Sequence, residues 1–114
     1  MQVNQTYFVY ILTNPNKTVL YIGVTNNLAQ RIIEHYINRG SSSTFAGRHF
    51  CYQLLYYETF GQIRSAIARE TEIKKWNRNK KEALIKTMNP DWVFLNKELF
   101  GQRPPEEAIS HRGS

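Results

Sequence analysis

Aromatic, β-branched and aliphatic residues fill Tyr7 to Thr13 almost without interruption, the turn formers Asn14-Pro15-Asn16-Lys17 follow, and a second apolar run extends from Thr18 to Gly23. This pattern predicts two strands joined as a hairpin. The period then lengthens: Leu28, Ile32, Ile33 and Ile37 share one side of a helix beginning near Leu28, with Asn26 or Asn27 as its cap. Gly40 to Ser43 reads as a loop and Tyr52 to Glu58 as a third strand. From Gln62 to about Asn79, Ile63, Ala66, Ile67, Ile73 and Trp76 recur at helical spacing, and a shorter helix over Lys81 to Met88 stops before Pro90. Trp92 to Leu99 is expected to dock back on the core, whereas glycine, proline and charge from Gly101 onward predict a mobile tail over 101–114. Strands first and helices after argue for an α+β fold, a small three-stranded antiparallel sheet flanked by helices, in one domain over 1–100.

Facing Thr13 with Thr18 across the turn sets Tyr10 opposite Tyr21, with Cβ atoms about 4.5–5.5 Å apart on one face. Such a pair stabilises an ordinary hairpin as readily as it equips a site, and periodicity does not separate the two. Arg31 and His35 follow at i, i+4, on one helix face at the border of the apolar stripe. Gly23 closes the second strand, where backbone without a Cβ admits a ligand such as a phosphate. Glu70 lies inside the apolar stripe of the long helix, three after Ile67 and three before Ile73, while Glu58 and Glu72 fall outside it. A carboxylate on a buried face calls for a partner, either a cation or a salt bridge for which Arg31 is one choice.

Charge narrows the class of partner. The 114 residues include 15 Lys and Arg against 9 Asp and Glu, a formal net charge of +6, and that balance attracts polyanions. The densest basic run, Lys74 to Lys81, contains Lys74, Lys75 and Arg78; it reads as a backbone-binding strip or as a solvated helix end favoured by the macrodipole. Thr44 to Phe50 interleaves aromatic and basic residues, which suits unstacked bases of a single strand and equally a loop folding its aromatics inward. No run is apolar and long enough to span a membrane and the N-terminus lacks a signal-peptide pattern, so a cytoplasmic protein without a membrane partner is expected. Cys51 is the single cysteine, which excludes an internal disulfide and leaves a thiol expected to pack at a strand start. His49 and His111 have no ligand spacing suited to structural zinc. Nothing in the pattern marks a small-molecule cofactor or an obligate protein partner.

Tyr10 in the first strand, Tyr21-Ile22-Gly23 in the second, Arg31 and His35 on the following helix and a glutamate on a later helix together resemble the GIY-YIG nucleases, over roughly residues 6 to 96. Phe8-Val9 stands where the family name has Gly-Ile. The resemblance is closest to small stand-alone bacterial members and implies a metal-dependent endonuclease cleaving DNA phosphodiester bonds, with Tyr10, Tyr21, Arg31, His35 and Glu70 as catalytic residues. It also implies Glu70 as the ligand of Mg²⁺ or Mn²⁺, Arg31 as the neutraliser of phosphoryl charge, and Tyr10 or Tyr21 as the base that deprotonates water. A free phenol ionises near 10, so that base needs a pKa lowered by cations such as Arg31 or the metal, with Tyr10 the first choice. Gly23, Lys74, Lys75 and Arg78 are the expected nucleic-acid contacts, and the family's later asparagine corresponds to Asn89 or Asn96. A rival reading is a module of the same fold that binds nucleic acid without cleaving it.

Overall fold

Tyr7–Thr13, here β1, occupies the centre of the sheet in the computed structural model, which describes residues 5–100. The tail expected from Gly101, and His111 within it, lies outside the described residues. Antiparallel β2 (Leu20–Thr25) and β3 (Gln53–Phe60) flank β1 in the order β2-β1-β3. Val9 to Thr13 are all buried, because helices cover both faces. On one face Val9 and Ile11 pack with Ala66 and Ile73 of α3 (Ile63–Lys74) and Ile85 of α4 (Arg78–Met88). On the other, Tyr10 and Leu12 pack with Leu28 and Ile32 of α1 (Leu28–Ile37) and Ala46 of α2 (Phe45–Arg48). A central strand buried on both sides reads as a continuous apolar run, which is how Tyr7 to Thr13 is written. The expected α+β architecture is the one found.

The hairpin register differs from expectation by two residues. Asn14 Oδ1 accepts hydrogen bonds from the Thr18 and Val19 amides at 2.8 and 3.0 Å, so the turn consumes both residues and Thr13 pairs with Leu20. Tyr10 therefore faces Gly23, with Tyr21 one diagonal away. A shift of two preserves side-chain parity, so both phenols still share a face.

Asn27 caps α1, its Oδ1 accepting from the Gln30 amide at 3.1 Å. The two helices expected over Gln62 to Asn79 and Lys81 to Met88 are both present, but the break between them comes earlier. Asn77 accepts from the Lys80 amide at 2.9 Å and starts α4, so the chain turns between Lys74 and Arg78. Thr44 caps the four-residue α2, so the stretch from Thr44 to Phe50 holds a short helix rather than only loop. After α4 the chain returns to the free edge of β3, where α5 (Asn96–Leu99) is the last element of the described residues. There the Leu95 amide donates to Leu54 O at 2.8 Å, and Asn96 accepts from the Leu54 amide and donates to Tyr52 O. Asn89 donates to Leu55 O and Val93 O. Both asparagine amides expected near the site are thus committed to backbone.

Candidate functional site

Gly23 has a structural reason to lack a side chain: a Cβ there would stand 2.4 Å from Tyr10 Oη and 2.5 Å from its Cζ. The space read from sequence as an approach for phosphate is filled by the phenol of the opposing strand. Tyr10 is fully buried, and its ring centroid lies 6.4 Å from that of Tyr21. His35 of α1 meets both, at 5.9 Å from Tyr10 and 5.3 Å from Tyr21, and its Nε2 is 3.1 Å from Tyr10 Oη. Arg31, one turn earlier, lies beside the Tyr10 hydroxyl and pairs through Nε with Glu34 Oε1 at 3.1 Å.

Burial raises the Tyr10 pKa well above the ordinary phenol value, and the neighbouring Tyr21 adds to the rise; Arg31 opposes it without prevailing. This reverses the expectation of a lowered pKa, because strand pattern shows which face a residue takes but not how dry its surroundings are. Burial, then Arg31, lowers His35 to about 4. At neutral pH Tyr10 is protonated and His35 uncharged. The Tyr10 hydroxyl and His35 Nε2 share a hydrogen bond in which the donor is set by the imidazole tautomer. Arg31 stays cationic: burial opposes its charge, but Tyr10 and Glu34 hold its pKa above the usual value.

Tyr21, Arg31 and His35 line a cleft of about 320 Å³ together with Glu34, Asn38, Thr44, Phe45 and Ala46. Four of the five expected catalytic residues, Tyr10, Tyr21, Arg31 and His35, therefore meet in one cluster. Glu70 projects from α3 on the opposite layer; its charge reaches Tyr10, but it does not line this cleft. Its side chain is only 17% exposed, between buried Ala66 and Ile73, in agreement with the helical phase read from sequence. Its ion pair is with Lys74 at 3.4 Å, and Arg31 pairs with Glu34 instead. Among the described residues no group of three or more His, Cys, Asp or Glu is placed to hold a metal ion.

The basic run divides. Lys74 and Lys75 are exposed, whereas Arg78 donates to Thr18 O at 3.0 Å and Lys17 O at 3.3 Å and pairs with Glu82, tying α4 to the β1–β2 turn. Phe45 is the site residue that sequence reasoning left open: its ring lies nearly parallel to Tyr21, at 21° and 6.4 Å, on the cleft wall. The cap-forming Thr44 was the available signal. Cys51 is buried, its thiol pushed up to about 11 by that burial, as a packing residue. Among the described residues no helix is long and apolar enough to cross a membrane.

The GIY-YIG catalytic domain family model matches residues 6–83. A UPF0213 protein of Bacillus pumilus is 35% identical over 88 residues, covering 77% of this chain and 86% of that protein. Another from Clostridium perfringens is 40% identical over 92 residues, covering 81% and 96%. The solution structure of a UPF0213 protein from Bacillus halodurans, 28% identical, superposes with a TM-score of 0.50 over 81% of this chain and 95% of that one. With the tyrosine, arginine and histidine cluster in place on this sheet, these matches establish that the chain belongs to the GIY-YIG family, among its small stand-alone UPF0213-type members.

Proposed function

We propose that the protein is a divalent-metal-dependent endonuclease hydrolysing DNA phosphodiester bonds. The observation that carries this reading is the convergence of Tyr21, Arg31 and His35 on one cleft in a chain of this family. Arg31, permanently charged and partly buried, binds the nonbridging phosphate oxygens and offsets charge that grows on them in the transition state. Tyr21, rather than the sealed Tyr10, reaches the cleft and, as the phenolate, takes the proton of the attacking water. Tyr10 acts through its bond to His35, fixing the imidazole in one orientation and tautomer.

Glu70 fits a hard cation. It is a mostly buried carboxylate whose lysine partner is 54% exposed, an i, i+4 pair worth about 0.3–0.5 kcal/mol that a metal readily displaces. One carboxylate with water and phosphate oxygens suits Mg²⁺ or Mn²⁺, which need no all-protein cage. When bound, the ion supplies Lewis-acid stabilisation of phosphoryl charge. Net charge of +6 and the exposed Lys74 and Lys75 favour a polyanionic substrate.

Labelled single- and double-stranded oligonucleotides incubated with Mg²⁺ or Mn²⁺, and with chelator, test the reading. Cleavage is expected only with metal. Glu70→Ala should abolish it at unchanged melting temperature, while Glu72→Ala, which breaks only the exposed pair with Arg69, should be nearly silent. Cleavage in chelator, or equal loss in both variants, refutes the metal role; binding without cleavage under every condition makes the protein a binding module.

A further inference from the structure

Phe45 is 45% exposed, yet it opens a short helix that is packed against the loop before it. The next two residues of α2, Ala46 and Gly47, are buried. A Cβ on Gly47 would meet Ser41 O, Thr44 Oγ1 and Asn38 O at 2.7–2.9 Å, so α2 presses backbone to backbone on the loop that follows α1. The Gly40 amide donates to Gly47 O at 2.8 Å and the Cys51 amide to Ala46 O at 2.9 Å, locking both ends. The fold thus fixes a phenyl ring at the wall of the cleft, leaving nearly half of it in water. Simple packing would turn the ring inward, as Ala46 is turned.

Its surroundings suit a flat, anionic ligand. Tyr21 is nearly parallel to Phe45, His49 stands beside it with ring centroids 4.4 Å apart and planes tilted by 45°, and Arg31 provides a cation within the same cleft. Phe50, 47% exposed, takes φ +56, a left-handed conformation that disfavours a bulky side chain and that glycine ordinarily supplies after a helix end. Phe45 is thus the exposed phenyl ring on the wall of the cleft that carries Arg31, while the Phe50 ring lies against Gly40. Aromatic rings interleaved with cations bind unpaired nucleic acid, because every base has a face to stack.

We propose that Phe45 is the platform on which a nucleobase stacks beside the scissile phosphate, so that the strand in the cleft is unpaired at that nucleotide. This rests on the nuclease reading above but is tested apart from it. Binding is measured in chelator, by fluorescence anisotropy, with a labelled single-stranded DNA oligonucleotide, the same strand in a duplex, and single strands carrying one abasic residue at successive positions. Phe45→Ala should lose about 5- to 150-fold in single-strand affinity, the effect of one stacked base. Phe45→Trp should retain it, and Phe45→Leu, which keeps apolar bulk and guards against a folding defect, should lose it as alanine does. Salt dependence should be unchanged, since no charge is removed. One abasic position should weaken the parent by the same factor and leave Phe45→Ala unaffected. Parental single-strand affinity in Phe45→Ala, an equal loss on duplex, or no rescue by tryptophan overturns the proposal. Phe45-dependent binding without cleavage in Mg²⁺ or Mn²⁺ leaves it standing while the nuclease reading fails; cleavage indifferent to Phe45 does the reverse.

Discussion

Gly23→Ala sets two opposed effects against each other. Gly23 has a backbone conformation open to any residue, and inside a strand alanine is ordinarily favoured over glycine by about 0.5–1 kcal/mol. The new methyl, however, would stand 2.4–2.5 Å from Tyr10 Oη and Cζ, on a ring with no exposed surface and a rigid sheet behind it. Overpacking of this kind costs typically about 1–3 kcal/mol. We expect a net loss of roughly 1–2 kcal/mol, about 4–15 °C in melting temperature for a chain of this size. Displacing the ring also draws Tyr10 Oη from His35, so cleavage should fall together with stability. In a Tyr10→Leu background the clashing Cζ and Oη are gone, and adding Gly23→Ala should be neutral or slightly stabilising. Thermal denaturation followed by circular dichroism across the four proteins reads both effects. An unchanged or higher melting temperature in Gly23→Ala, or the same decrement in both backgrounds, refutes the claim that Gly23 exists to admit the Tyr10 ring.

Tyr21→Phe should slow cleavage on the order of 10²–10⁴-fold and abolish the rise of the parental rate with pH, whereas Tyr10→Phe should cost less; the opposite order in single-turnover assays would return the base role to Tyr10. His35, at about 4 in the folded protein against 6.5 when free, leaves the unfolded chain to take up the proton first, so its stabilising contribution is complete above 6.5 and is lost as pH falls toward 4. Glu58 adds a further loss only from about 4.5 downward, since burial pushes its carboxyl up but hydrogen bonds from Arg69 and Tyr56 outweigh it. Denaturant midpoints between pH 7 and 5 should therefore fall in the parent and stay flat in His35→Gln; parallel curves would remove His35 as the source. Lys75→Ala should reduce the slope of log affinity against log salt by about 0.9 on duplex or about 0.7 on single strands, while Arg78→Ala should instead lower the melting temperature, because its donors hold the β1–β2 turn. A larger slope change from Arg78 than from Lys75 would reverse that division.

The sheet, its order of elements and the inward phase of Glu70 were legible because they follow from periodicity, which a chain displays locally. Tyr10 and Tyr21 reached a common face despite a register mistaken by two, since parity survives an even shift. What failed needed information from elsewhere in the chain. The Asn14 side chain lengthened the turn, the Asn77 cap moved the boundary between the third and fourth helices to an earlier position, and Ile63 and Ile67, read as core, are 42% and 47% exposed. The direction of the Tyr10 pKa turned on the water excluded around it by α1 and Gly23, a quantity with no local signature. The bonds of Arg78 to the β1–β2 turn had no signature in its own stretch of sequence, because its two acceptor carbonyls lie some sixty positions earlier.

The segment from Asn89 to Asn96 lies beyond the residues matched by the family model, and it does something the tyrosine, arginine and histidine cluster does not need. A three-stranded sheet has two unsatisfied borders, each a template on which another chain can zip. At β3 the Leu95 amide and the Asn96 carboxamide take the outward hydrogen bonds of Leu54, and Asn96 also takes Tyr52 O, so one residue of backbone and one side chain imitate a fourth strand too short to be extended. The consequence is colloidal rather than chemical: with every residue of the cleft intact, an apolar residue in place of Asn96 would leave the Leu54 amide and Tyr52 O without these partners and reopen that border to the next copy.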